Sequence, residues 1–392
     1  MINNSQHEKI ALSLSFLILN NYFFLSLGFP QILIKINFLI FIFIILLFYF
    51  QNLLNNPYLK ISFFFIILIS LGTPVIEWDA RSIWLFHAKR IFYESSILKI
   101  AEGYEYSNNG YPNLAPAFAS ALAILIGYWN EVFPKIAFTL IFLPPMILIH
   151  SFLKNVNYLI FLTIVFFTIG KYLFNGYADG LVAMYFGSSA LLIYLLFFTK
   201  ENFYRNRLYF YVITFCFFTT LTLIKNEGSA LLLVLLFTVF LINLYNGNLK
   251  NNLLKLSFFS FSFLPIILWK IYCYTKGMNY YYTNDSIILN LAPRLTDLNS
   301  YKEIIYFLIL NEKFLITLVF FLLSIFLSPN KSLFIFVSHI TLIYIFILFI
   351  IYLSTPFDLH WHLDSSASRV IKSLCFFLGL FGIYNLSLRT NE

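Results

Sequence analysis

Stretches of about 20 apolar residues recur from one end of this chain to the other, each long enough to cross ~30 Å of hydrocarbon as a helix. A transmembrane β-barrel would instead show short strands alternating apolar and polar residues. Runs such as 37–50 and 231–241 do not alternate, so the spacing predicts helices. Composition agrees. Of 392 residues, 60% are hydrophobic and only 11% charged, whereas a soluble surface needs roughly 25% charged residues. The expectation is an all-α, polytopic helical bundle forming a single transmembrane domain over 1–392.

The candidate spans are 10–28, 33–51, 60–76, 132–152, 157–171, 181–199, 208–224, 227–245, 256–272, 314–328, 332–352 and 370–387, about twelve in all. The first lacks a small-residue cleavage pattern and is followed at once by another, which reads as a retained helix rather than a signal peptide. Cys216, Cys273 and Cys375 have no paired spacing and form no disulfide framework.

The net charge of +8 would suggest nucleic acid in a soluble protein. Here it reads as basic cytoplasmic loops plus some anion-binding groups. If the spans alternate, Lys60, Lys154, Lys200, Arg205, Arg207, Lys250, Lys255, Lys331 and Arg389 fall on one side. The positive-inside rule makes that side cytoplasmic. Loops of about 77–131, 272–313 and 354–369 then lie outside. Segment 111–128 is apolar enough to tempt as a further span, but counting it would place the basic clusters outside. It is therefore expected to be an interfacial or half-inserted helix within the first loop, without crossing.

Polar chemistry gathers in the outer loops. The first opens with Glu77-Trp78-Asp79-Ala80-Arg81-Ser82-Ile83-Trp84 and continues through His87, Lys89 and Arg90. As a helix it would place Trp84, Ala88 and Ile91 on one apolar stripe, at i, i+4 and i+7. An ordinary interfacial helix with a Trp anchor would look the same. Asp179 follows a glycine turn, where a carboxylate also suits a helix N-terminus for purely structural reasons. Lys225-Asn226-Glu227-Gly228 inserts a charged pair between two apolar runs, and an exposed turn would do so too. Tyr280-Tyr281-Tyr282 suits either an acceptor site or interfacial anchoring.

The stretch from Thr355 to Arg369 says most. Thr355 suits an N-cap, Pro356 the first helical position and Asp358 the first turn. Asp358, His362, Ser366 and Arg369 then share one face of a helix that enters the membrane. A plain anchor helix does not need that set, whereas a phosphate group at the membrane surface would use such donors.

These motifs carry a resemblance. Trp78-Asp79-Ala80-Arg81, Ile83-Trp84, Ala88-Lys89, Tyr111-Pro112, Pro116, Tyr177-Ala178-Asp179, Lys225-Asn226-Glu227-Gly228, Asp358-Leu359, Trp361-His362-Leu363, Ser366 and Arg369 resemble an uncharacterised bacterial membrane-protein family. That family is similar to the GT-C glycosyltransferases, whose relatives include the protein O-mannosyltransferases and the lipid A aminoarabinose transferase. The resemblance covers nearly the whole chain from Trp78 onward; its motifs are specific as an ordered set and weak singly. Two departures stand out: Gly110 precedes Tyr111 where the family often has an acidic residue, and His87 stands where a basic residue is common.

The resemblance implies a GT-C-like fold in the bacterial inner membrane, with its active site facing the periplasm. It implies a sugar donor on a polyprenyl phosphate, an acceptor in the form of a glycan, lipid or protein, and usually inversion at the anomeric centre. Asp79 and Asp179 take the family's two acidic positions. Asp79 is the expected base, because an acceptor hydroxyl is a weak nucleophile. Arg81, His87, Lys89, Tyr111, Lys225, Glu227, His362, Ser366 and Arg369 are the expected substrate contacts. Lys89, His362, Ser366 and Arg369 would meet charge developing on the leaving phosphate. Asp179 would orient the acceptor or, with Asp79, hold Mg²⁺ or Mn²⁺, which suit carboxylates. No nucleic acid partner is expected.

Two competing classes are a flippase or transporter for lipid-linked glycans and an O-antigen-type polymerase or ligase. Transporters place polar groups near the bilayer midplane, often on inverted repeats. Here the polar clusters sit at span ends on one side.

Overall fold

The computed structural model describes residues 4–54, 57–101, 103–104, 107–153, 155–199, 207–278 and 284–389. Lys154, Lys200, Arg205 and Tyr280–Tyr282 lie outside the described residues. Among the described residues every regular element is helical. The first half of the chain forms α1 (Asn4–Ser26), α2 (Gln31–Leu54), α3 (Pro57–Gly72), α4 (Leu85–Glu94), α5 (Leu114–Ile126), α6 (Ile136–Ile141), α7 (Leu143–Phe152), α8 (Asn155–Thr168) and α9 (Asp179–Phe198). The second half forms α10 (Arg207–Ile224), α11 (Asn226–Tyr245), α12 (Leu249–Ser260), α13 (Leu264–Thr275), α14 (Asn284–Thr296), α15 (Leu298–Leu308), α16 (Glu312–Leu327), α17 (Lys331–Leu353) and α18 (Leu359–Arg389).

Seven helical segments are long and apolar enough to cross a membrane: Gln6–Ser26, Phe133–Phe152, Asp179–Phe198, Asn226–Tyr245, Leu249–Thr275, Lys331–Leu353 and Leu359–Leu388. An eighth follows if α15 and α16, bent by 67°, form one crossing. The architecture is a multi-pass helical bundle. Four of the twelve expected spans fall on shorter apolar helices, Gln31–Ile44, Phe63–Gly72, Asn157–Thr168 and Leu208–Ile224. Of these, α2 continues to Leu54, 24 residues or roughly 36 Å and enough for the ~30 Å core, while α3 and α8 are shorter over the described residues. The segment 272–313, expected as an outer loop, contains α14 and α15.

Two helices form the hub. Every residue of α9 from Asp179 to Leu195 is buried, as befits a helix apolar all round. The long α18 packs on α8, α9, α15, α16 and α17. Glycine lets these backbones close. A Cβ on Gly187 would stand 2.5 Å from Phe376, and one on Gly379 would stand 2.6 Å from Ile164. Without a hydrophobic force between helices in lipid, such close approach is what holds a bundle together.

Segment 111–128 contains α5, whose 13 residues span ~20 Å. At its start Asn113 meets His87 of α4, and just past its end Trp129 packs on Phe92 of the same helix. The chain then returns to the layer it left, where the Lys135 ammonium donates to the Thr73 carbonyl.

Candidate functional site

A cavity of about 410 Å³ opens where α9, α11, α17 and α18 meet the first loop. Asp79, Tyr111, Asp179, Lys225, Glu227, His362, Ser366 and Arg369 all line it.

Each charged residue arrives by a different local device. After Asp79 the backbone widens into a π-turn over Ala80–Trp84, with the Leu85 N–H bonding to the Ala80 carbonyl. Single π-turns of this kind often mark functional sites. Gly176 underlies the turn at φ +85°, where a Cβ would stand 3.3 Å from that of Ala80. Asp179 is the first residue of α9. Lys225 is an extended residue, φ −158° and ψ 157°, inserted between α10 and α11, and Glu227 lies in the first turn of α11. The expected Thr355 cap differs: α17 runs to Leu353, and Asp358 caps α18 by accepting the Trp361 N–H at 2.9 Å. Asp358 itself is exposed, while His362, Ser366 and Arg369 reach the cavity from the same face.

The charges form one continuous chain. The Arg369 guanidinium donates to Asp79 Oδ2 at 2.5 Å and to Asp179 Oδ2 at 3.3 Å. Lys225 Nζ donates to Asp179 Oδ1 at 3.0 Å and pairs with Glu227 Oε1 at 2.8 Å. The Asp179 and Lys225 side chains are only 5% and 6% exposed. Burying such charges is tolerable only because each is paired. The Arg369 guanidinium also stands 4.9 Å from the Tyr177 ring centroid. Within this chain of charges Arg369 Nε, a buried donor, and Glu227 Oε2, a buried acceptor, have no hydrogen-bond partner among the described residues. Each such group costs ~1–3 kcal/mol, so the site holds unused hydrogen-bonding capacity.

Opposite this polar floor lies an apolar wall of Ile347, Leu348 and Ile351 from α17. The cavity can therefore take a ligand with both an anionic and an apolar part.

Three expected contacts do not reach the cavity. Arg81 is exposed. Lys89 forms an exposed ion pair with Glu131 at 2.7 Å. His87 is fully buried, with Nδ1 2.8 Å from Asn113 Oδ1 and Nε2 3.4 Å from Ser107 Oγ. Burial pushes its pKa down to about 4. His87 thus ties down the loop that carries Asn108 and Tyr111. Trp84, Ala88 and Ile91 are each fully buried, but under the loop rather than along a membrane surface.

Other lining residues were not singled out from sequence. Tyr352 Oη lies 2.9 Å from Ser366 Oγ, and Tyr344 Oη donates to the Val370 carbonyl at 3.1 Å. With Leu348 they stand at i, i+4 and i+8 on α17, a visible but ordinary spacing. Asn108 also lines the cavity, as does Asn226 from the Lys225–Gly228 motif. Beside them Lys270 donates to the Gly110 carbonyl at 3.1 Å and to Asn226 Oδ1 at 2.7 Å. A backbone oxygen thus meets this lysine just before Tyr111.

For a divalent cation, the Asp79 and Asp179 carboxylates are already bridged by Arg369. No group of three or more His, Cys, Asp or Glu side chains stands together among the described residues. The residues present fit a guanidinium between two carboxylates, not a protein-held cation.

The chain matches no protein-family model, no curated protein and no solved structure among those compared.

Proposed function

We propose that this protein is a GT-C-like membrane glycosyltransferase. It moves a sugar from a polyprenyl-phosphate donor to a glycan, lipid or protein acceptor at the periplasmic face of the bacterial inner membrane. The observation that carries this reading is the convergence of Asp79, Asp179, Lys225, Glu227 and Arg369, from four separate parts of the chain, on one cavity with an apolar wall.

In this reading the donor's phosphate draws Arg369 away from Asp79 and is met by its guanidinium. The freed Asp79 carboxylate takes the proton of the acceptor hydroxyl. The acceptor oxygen bonds to the anomeric carbon as the bond from that carbon to the phosphate oxygen breaks. The electron pair leaves with the lipid phosphate, where Arg369, His362 and Ser366 meet the developing charge. Lys225 stays buried and holds Asp179 in place. No step uses a metal ion, and a chelator is expected to leave the rate unchanged.

The test measures release of polyprenyl phosphate from a labelled lipid-linked sugar by purified protein. Asp79→Asn is expected to lose roughly 10²–10⁴-fold in rate, and Arg369→Ala roughly 10²–10³-fold. Full activity in Asp79→Asn removes Asp79 as the base. Passage of intact lipid across vesicles without sugar release replaces the transferase with a flippase.

A further inference from the structure

A second cavity, of about 240 Å³, lies on the far side of α18 from the first. Asn311, Glu312, Lys313, Ser368, Lys372 and Cys375 line it. On α18, Ser368, Lys372 and Cys375 point away from the stripe of His362, Ser366 and Arg369, so one helix separates the two chambers.

Its charge is not balanced. Lys372 is only 7% exposed, and Lys313 is half-buried beside it. Neither pairs with a carboxylate among the described residues, although Glu312 stands in the same wall. Lys372 Nζ donates to the Ser368 carbonyl at 2.9 Å, and Lys313 Nζ to the Phe167 carbonyl at 2.9 Å. Each also faces a ring, Tyr172 at 4.6 Å for Lys372 and Phe167 at 5.5 Å for Lys313. Each ammonium has three donors and uses one in these bonds. Carbonyl dipoles and ring faces soften a buried charge but do not neutralise it. Lys225, by contrast, has two carboxylates, while the buried Lys135 stands alone on the Thr73 carbonyl with no second lysine beside it in a shared cavity among the described residues. Two unneutralised ammonium groups around one small chamber call for an anion.

The position selects its class. The chamber lies where α15 breaks from α16 and one turn past Arg369, at the level of the proposed outer surface. Compact lysine charges suit phosphate, and the Ser368 hydroxyl adds a donor. We infer that this chamber binds a phosphate group, separate from the central site, between Lys313 and Lys372. The inference stands without the glycosyl-transfer reading.

Calorimetric titration of the full-length protein in detergent tests it, with inorganic phosphate and with dihexanoyl phosphatidic acid as probes. A binding event is expected that Lys372→Met and Lys313→Met each weaken at least tenfold and Arg369→Ala leaves in place. Lys276→Met, at an exposed lysine elsewhere, is the control and is expected to change nothing. Binding of both probes supports recognition of the phosphate group itself, binding of phosphatidic acid alone supports a lipid headgroup, and binding of inorganic phosphate alone supports a free ion. Absence of binding by either probe, or binding untouched by both lysine substitutions, overturns the inference. Lys372→Met is expected to keep or raise Tm because it removes an unpaired buried charge. The half-buried Lys313 gives a second variant whose folding does not depend on a core side chain.

Discussion

Arg369 holds two carboxylates at once, and Asp179 in turn holds two cations. Removing one member therefore strands a neighbour. Lys225→Met is expected to destabilise the protein by about 3–5 kcal/mol, because Asp179 and Glu227 lose their shared partner inside a buried site. Thermal unfolding in detergent measures this, and Lys225→Met with Glu227→Gln should recover part of the loss. An unchanged Tm in the single variant would show that the pair contributes no stability. His87 makes a different prediction. Its folded pKa of about 4 lies below the unfolded value near 6.5. Between these values the unfolded chain binds more protons, so stability is fully present above pH 6.5 and is lost as pH falls toward 4. Protection of the 107–113 amides, corrected for the intrinsic pH dependence of exchange, should fall over that window, and His87→Asn should flatten the profile. Protection that does not vary with pH in the wild-type protein would remove His87 as the tie.

At the scale of elements, the decisive joint is the break between α10 and α11. It turns Lys225 into the cavity, and it needs Gly228. A Cβ there would stand 1.9 Å from the Leu221 carbonyl oxygen, which only a backbone shift can relieve. Gly228→Ala should thus cost at the exceptional end of single substitutions, about 4–5 kcal/mol, and should also reduce activity by moving Lys225. Gly72→Ala, at a helical position with nothing within 4 Å, is the matched control and should be neutral or slightly stabilising. Equal effects at the two sites would refute the packing argument. The π-turn at Ala80–Trp84 is the second such joint. It redirects a helix that an unbroken 3.6 period would have carried past the cavity.

For the whole molecule, the proposed orientation predicts which positions water reaches from each side. All three native cysteines are buried, so single introduced cysteines can report accessibility. Glu131→Cys and Lys276→Cys are expected to react with a membrane-impermeant maleimide in intact cells. Lys250→Cys and Asn330→Cys should react only after permeabilisation. The reverse pattern would invert the positive-inside assignment and put the site on the cytoplasmic face.

Apolar run length and charge scarcity determined by themselves that this chain forms a helical membrane bundle, because each helix satisfies its own backbone and lipid accepts its side chains. Local spacing also carried His362, Ser366 and Arg369, since residues at i, i+4 and i+7 of one helix must share a face. Only the tertiary structure decided which charges meet. Arg369 reaches Asp79 across 290 positions and Asp179 across 190, and no local period encodes such a meeting. It also separated His87, Lys89 and Arg81 from the cavity. A one-residue widening of the helix after Asp79 changes where every later side chain points, and composition carries no signal for that. Helices α3 and α8 end at Gly72 and Thr168, ahead of the ends at 76 and 171 expected from run length.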